Sequence, residues 1–160
     1  ILRIILGGST SSRLWNEIRE KRGLVYYLRT MEDTFLDAGC LVTQAGCDAA
    51  RVEEAVKVTL SEYDKMVKGI TKEELTLAKE YLKGHLALSL EDTHAVSHFF
   101  GLRELLLGSV ETPEKVFAGI EAVSMDDIYK EAKTLFKPSG LNLAIIGPYN
   151  DPGKFEKLFK

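Results

Sequence analysis

The residues best suited to bind a metal are two histidines in a segment with helical character. His94 and His98 are four positions apart on one helix face, with Glu91 one turn earlier, which is the spacing of a helical zinc pair. A catalytic zinc also needs a third ligand and a general base. Ser97 stands where an H-x-x-E-H motif has its glutamate, and neither H-x-x-E-H nor H-E-x-x-H occurs in the 160 residues. We therefore predict no metal site within this chain.

Nucleophilic and nucleotide-dependent chemistry have no motif in the sequence. The G-x-S-x-G nucleophile elbow is absent, and Gly7–Gly8 lacks the further residues of a P-loop or dinucleotide fingerprint. Cys40 and Cys47, on one extended strand, would lie about 23 Å apart on opposite faces, whereas a disulfide needs Cα atoms within about 7 Å. We predict two free thiols, mostly in the core.

Arginines, a tryptophan and a tyrosine are concentrated in the segment that ends at Tyr26. Its composition alone predicts a solvated basic helix face followed by a strand tyrosine. Regular alternation along that strand places Tyr26 on the same face as Leu24 and Leu28.

The order of residues in this segment is more specific than its composition. The run S-S-R-L-W-N-E-I-R-E-K-R-G-L-V-Y, residues 11–26, closely resembles the S-R-L-f-x-E-i-R-e-k-r-G-L-a-Y stretch of the pitrilysin/insulinase-type zinc peptidases. These include the mitochondrial processing peptidases and related bacterial zinc proteases. The similarity continues through Asp37–Gly39, the helix from Asp48 and residues 69–74, and it covers essentially the whole chain. The stretch belongs to the C-terminal, zinc-free half of those enzymes.

This resemblance implies that the parent enzyme is a clamshell of two halves that encloses a chamber, and that the two halves have different roles in catalysis. In the family, the N-terminal half carries H-x-x-E-H and a distal glutamate, which bind zinc and activate water. The C-terminal half supplies an arginine and, seven residues on, a tyrosine that contact the substrate backbone near the zinc. These roles fall on Arg19 and Tyr26, whose side chains can donate hydrogen bonds to a carbonyl oxygen that gains charge.

The same resemblance implies which groups the chain needs from elsewhere. Because the zinc motif is absent, the chain alone is expected to be inert and to hold no catalytic residue of its own. Zinc is expected in an N-terminal half or a partner subunit, and the substrate is expected to be a peptide.

Three functions remain open at this point. In the first, residues 1–160 are a single, N-terminally truncated C-terminal-half domain of a single-chain metalloendopeptidase. In the second, they belong to a non-catalytic partner subunit that offers Arg19 and Tyr26 to a separate zinc subunit. In the third, they belong to a structural core subunit of a respiratory complex, without peptidase activity; the retained Arg19 and Tyr26 argue mildly against it.

The elements that must position this pair follow from caps and periodicity. We predict a helix over 12–21 that ends at Gly23, strands over 24–35, 40–46 and 141–146, and helices over 48–68, from 71, over 92–107, from 112 and from 124. Strands and helices are segregated rather than alternating. This order predicts an α+β fold with several helices packed on one face of a mainly antiparallel sheet.

Length and charge exclude several classes of partner. A chain of 160 residues with a net charge of −3 is one domain in size and has no basic surface suited to nucleic acid. No apolar run approaches the roughly 20 residues of a membrane span, so we expect no membrane partner.

The first six residues are unusually apolar for the start of a chain. Ile1–Leu6 contains five apolar residues, and we expect that the sequence begins inside a helix of a longer protein. We expect the isolated domain to expose this apolar segment, and a homodimer is therefore a further expected partner. Two cysteines and no visible signal segment predict a reducing, cytoplasmic location.

Overall fold

The computed structural model describes residues 1–151 and 153–159, and it has an α+β fold. A buried opening helix and a π-helix precede a β-hairpin, and the remaining helices follow in sequence. The elements are helix α1 (Leu2–Gly7), a π-helix (Trp15–Glu20), strands β1 (Val25–Thr34) and β2 (Gly39–Cys47), and helices α2 (Val52–Lys68), α3 (Lys72–Ser89), α4 (Thr93–Leu107), α5 (Pro113–Ala122), α6 (Met125–Leu135) and α7 (Gly153–Glu156), with short 3-10 turns at Ala49–Arg51, Pro138–Gly140 and Lys157–Phe159.

The hairpin is antiparallel, as predicted, and its two faces differ in burial. Leu28 and Thr30 on the inner face are buried against the helices. Arg29 pairs with Gln44 across the two strands, and both are exposed. We call the face that carries Arg29 and Gln44 the outer face. The α+β arrangement predicted from the sequence is confirmed.

Helix α1 fills the inner face of the hairpin. Leu2, Ile4, Ile5 and Leu6 are all buried, because α1 packs on β1 and also contacts α3. A side chain at Gly7 would collide with Thr30, so the helix lies directly on the strand. The expectation that this apolar segment is exposed is wrong; the homodimer stays a prediction.

The helix starts predicted from capping residues are confirmed. Thr71 and Glu74 form a capping box at α3, and Ser124 and Asp127 form a second one at α6. In each, the hydroxyl and the carboxylate satisfy backbone N–H groups that the helix leaves without a partner. Asp48, Asp92 and Thr112 cap the segments that begin α2, α4 and α5.

The predicted strand over 141–146 is not a strand. The segment forms neither helix nor strand; within the described residues β1 and β2 form a two-stranded sheet, and this segment pairs with neither. Leu143 and Ile146 are exposed. Alternating apolar residues favour an extended backbone, but a strand also requires backbone hydrogen bonds to a neighbouring strand, and this segment forms none with β1 or β2.

The two cysteines lie at opposite ends of β2, and both are free thiols, as predicted. Cys47 is half-buried, and burial raises the pKa of its thiol. Cys40 is exposed, which corrects its predicted place in the core. Alternation along β2 puts it on the outer face with Gln44, whereas its neighbour Leu41 packs against the core.

No helix in the described part of the chain combines the length and the apolar character needed to cross a bilayer.

Candidate functional site

Arg19 lies in the π-helix, close to the turn that leads into β1. The amide of Lys21 donates to the carbonyl oxygen of Asn16 at 2.9 Å, a spacing of five residues that widens the coil. Such segments occur frequently at functional sites. Ile18 anchors the π-helix in the core with no exposed surface, whereas Arg19 is exposed. The helix predicted over 12–21 is therefore present in this wider form.

Gly23 reverses the chain between the π-helix and β1. Its φ of 55° lies in the left-handed region, which favours glycine. Backbone hydrogen bonds from Gly23 to Arg19 (3.0 Å) and from Leu24 to Ile18 (2.9 Å) close the turn. This short turn brings the guanidinium of Arg19 back onto β1.

The Arg19 guanidinium is fixed to the backbone next to Tyr26. Its Nη1 donates a hydrogen bond of 2.7 Å to the carbonyl oxygen of Val25. The structure therefore brings Arg19 to the residue that immediately precedes Tyr26. Their role toward a substrate stays a prediction.

Tyr26 protrudes from the sheet at a β-bulge. The register shifts between Val25 and Tyr27, so Tyr26 has no partner of its own in the strand pairing. Its side chain is 74% exposed, while Leu24 and Leu28 are buried. The predicted shared face is thus wrong, because a bulge interrupts the alternation and turns one side chain toward solvent.

The ring of Tyr26 lies on Gly46 of β2. A Cβ atom placed on Gly46 would lie 2.5 Å from Cζ and 2.6 Å from the hydroxyl oxygen of Tyr26. The absence of a side chain at position 46 therefore makes room for the ring. Alternation along β2 puts Gly46 on the outer face with Gln44, so the Tyr26 ring lies on that face too.

Arg51, at the start of α2, is hydrogen-bonded to the turn at Gly23. Its Nη1 and Nη2 donate to the carbonyl oxygens of Gly23 and Arg22, each at 3.2 Å. Arg51 could not be identified from the sequence, because no local pattern connects it to a turn 28 residues earlier.

The loop before the π-helix is tied to α3 by a two-pronged ion pair. Arg13 donates from Nε (2.5 Å) and Nη2 (2.7 Å) to the carboxylate of Glu74, and Nη2 also reaches the carbonyl oxygen of Gly69. The hydrogen bond from Arg13 lowers the pKa of Glu74, and Glu74 in turn raises the pKa of Arg13. Arg13 therefore joins this segment to α3, and its charge is already paired with Glu74.

The rest of the basic segment is also engaged within the domain. Glu17 accepts from Lys21 and, at 3.4 Å, from Arg22, and the hydrogen bond from Lys21 is the main cause of its lowered pKa. The indole Nε1 of Trp15 donates to Glu20 at 3.0 Å. These side chains therefore bond to one another at the surface of the domain.

The described residues do not fit a zinc site. They include no group of three or more histidine, cysteine, aspartate or glutamate side chains placed to hold a metal. His94 and His98 are exposed on α4, with ring centroids 6.5 Å apart. The side chains at 1–151 and 153–159 therefore supply no step through zinc.

Three comparisons relate the chain to known proteins. Residues 1–82 match the family model described as the peptidase M16 inactive domain. An uncharacterized zinc protease of Streptomyces coelicolor is 36% identical over 154 residues, which cover 94% of this chain and 33% of that protein. A second one, from Bacillus subtilis, is 35% identical over 151 residues, which cover 92% of this chain and 36% of that protein. The chain therefore spans about a third of the length of these relatives.

The fold also has solved counterparts. A conserved protein from Enterococcus faecalis superposes with a TM-score of 0.74 at 29% sequence identity, over 82% of this chain and 31% of that protein.

Proposed function

The chain belongs to the peptidase M16 inactive-domain family, and from that premise we propose that it is the substrate-binding half-domain of a zinc-dependent metalloendopeptidase. Relatives about three times as long are named zinc proteases. In this proposal, residues 1–160 form one C-terminal-half domain, and zinc is held by an N-terminal half of the parent protein.

One observation supports this proposal best: an exposed tyrosine follows directly on a residue whose backbone carbonyl accepts a hydrogen bond from an arginine. Arg19 donates to the carbonyl oxygen of Val25, and Tyr26 protrudes from the bulge with most of its surface accessible. Arg19 forms no ion pair within the described residues, whereas Arg13 is paired with Glu74. The Arg19 charge is therefore available to a ligand.

The chemistry proposed for the pair is hydrogen bonding to a peptide carbonyl. When a nucleophile adds to that carbonyl, negative charge develops on its oxygen. The hydroxyl of Tyr26 and the remaining N–H groups of Arg19 would donate to this oxygen, and the bonds would strengthen as the charge grows. One such donor contributes on the order of 100- to 1,000-fold in turnover.

The division between the two halves can be tested by comparing the 160-residue chain with the full-length parent protein. We expect about one zinc per chain in the parent and none in the 160-residue chain, by elemental analysis after dialysis. A quenched fluorescent peptide should be cleaved by the parent alone. About one zinc per 160-residue chain, lost in His94→Ala, would contradict the proposal.

The same assay separates the alternative functions. If the parent lacks zinc and becomes active only with a second gene product, the chain belongs to a partner subunit instead. If no peptide is cleaved in either case, a structural role replaces the proposal.

We also propose a reducing, cytoplasmic setting, which the two free thiols support.

A further inference from the structure

We propose that Arg29 selects peptides with an acidic side chain. In this proposal, which rests on the proposed function, the peptide bound at Arg19 and Tyr26 continues along the outer face of the hairpin and places a carboxylate at Arg29.

Arg29 is held in place by its neighbours on the outer face. The side-chain oxygen Oε1 of Gln44 accepts hydrogen bonds from Nε (3.1 Å) and Nη2 (2.9 Å) of Arg29 and from the hydroxyl of Tyr27 (2.8 Å). The Arg29 guanidinium carbon lies 5.6 Å from the centre of the Tyr27 ring. Two side chains, Gln44 and Tyr27, thus fix the Arg29 guanidinium, and less side-chain entropy is lost when it binds a ligand.

The charge of Arg29 is not neutralised within the described part of the chain. Its hydrogen-bond partner Gln44 is uncharged, and no carboxylate in the described part of the chain lies within ion-pair distance of Arg29. Most other arginines of the domain do have such a partner: Arg3 with Glu32, Arg13 with Glu74, Arg22 with Glu17 and Arg51 with Glu54.

The shape of the guanidinium determines which ligand fits. Gln44 occupies the edge formed by Nε and Nη2, so the edge formed by Nη1 and the second N–H of Nη2 remains. Two parallel N–H groups match the two oxygens of a carboxylate. An aspartate or glutamate side chain is therefore the group that this surface fits best.

The position of Arg29 suits a peptide that also contacts Tyr26. Both side chains lie on the outer face, three residues apart in β1, which corresponds to about 10 Å. An extended peptide covers this distance in about three residues. The acidic side chain should therefore lie about three residues from the carbonyl that Arg19 and Tyr26 contact.

The test is an NMR titration of the 160-residue chain with two extended peptides that differ only by glutamate or glutamine at one position. We expect both peptides to shift the signals of Arg19 and Tyr26. The glutamate peptide should bind about 5-fold more tightly, which is the range of an exposed ion pair, and should also shift the Arg29 side chain.

Two variants assign the preference to one residue. Arg29→Gln should bind both peptides equally and still show the Arg19 and Tyr26 shifts. Arg103→Gln is the matched control, because Arg103 forms no ion pair in the described residues and lies over Phe99 of α4; it should keep the preference.

The outcomes separate this inference from the proposed function. Equal binding of both peptides by the unmodified chain, with Arg19 and Tyr26 shifted, overturns the acidic preference alone. A preference that persists in Arg29→Gln overturns it as well. If neither peptide shifts Arg19 or Tyr26, both the inference and the proposed peptide contact fail.

Discussion

The exposure of Tyr26 depends on two local features, a bulge in β1 and a glycine in β2. The bulge frees Tyr26 from the strand pairing, and Gly46 leaves room beneath its ring. The Arg19–Tyr26 pair could be named from the sequence only because the order of residues resembles a known family. The bulge could not be predicted, since Leu24, Tyr26 and Leu28 follow a regular alternation in the sequence.

Substituting Gly46 with alanine should displace Tyr26 while preserving the fold. The new Cβ would overlap the far end of the Tyr26 ring, 2.5 Å from Cζ, and a flexible side chain can swing away. We expect turnover by the parent protein to fall by about 10- to 100-fold, since misplacing a contacting group by about 1 Å can cost that much.

The control for this prediction is Gly84→Ala in α3. A Cβ at Gly84 meets no atom within 4 Å, so this variant should keep full turnover and gain up to about 1 kcal/mol in stability. When Tyr26→Phe is already present, adding Gly46→Ala should lower turnover little further, because both changes act through the same ring. Full additivity of the two losses would contradict the positioning role.

At the scale of elements, two arginines hold the segment that carries the pair. Arg51 binds the Gly23 turn, and Arg13 ties the preceding loop to α3. The helix starts were predictable because a capping box is local in sequence, as Thr71 and Glu74 show. The contacts of Arg13 and Arg51 were not, because they join residues 61 and 28 positions apart.

The Arg13–Glu74 pair predicts a dependence of stability on acid. Because its pKa in the folded protein is below the ordinary 4.5, Glu74 contributes its full stabilisation above about pH 4.5. That contribution is lost as the pH falls through the lower folded-state pKa. We therefore expect Glu74→Gln to lose less stability than the unmodified chain between pH 6 and pH 3.

Urea unfolding at several pH values measures this effect. At pH 7, Glu74→Gln should be less stable by roughly 1–2 kcal/mol, since it loses an ion pair and part of a cap. Glu73→Gln is the matched control: Glu73 is its exposed neighbour and forms no ion pair within the described residues. Equal pH profiles for Glu74→Gln and the unmodified chain would contradict the account.

At the scale of the whole molecule, the chain spans about a third of its zinc-protease relatives. The α+β class was predictable from the segregation of strands and helices. The third strand over 141–146 was wrongly predicted, because alternation in Leu141, Leu143 and Ile145 says nothing about which edge the segment would pair with. The packing of the buried helix α1 on β1 could likewise not be predicted from the five apolar residues of Ile1–Leu6.

The most direct test of the central claim is the turnover number of the full-length parent protein carrying Tyr26→Phe or Arg19→Ala, with zinc measured on the same samples. We predict that turnover falls by about 100- to 1,000-fold in each while zinc content stays unchanged. Tyr129→Phe and Arg103→Ala, at a tyrosine and an arginine on other elements, should leave turnover unchanged. Unchanged turnover in both site variants, or a loss of zinc that accounts for the fall, would contradict the claim that this domain supplies the substrate contacts.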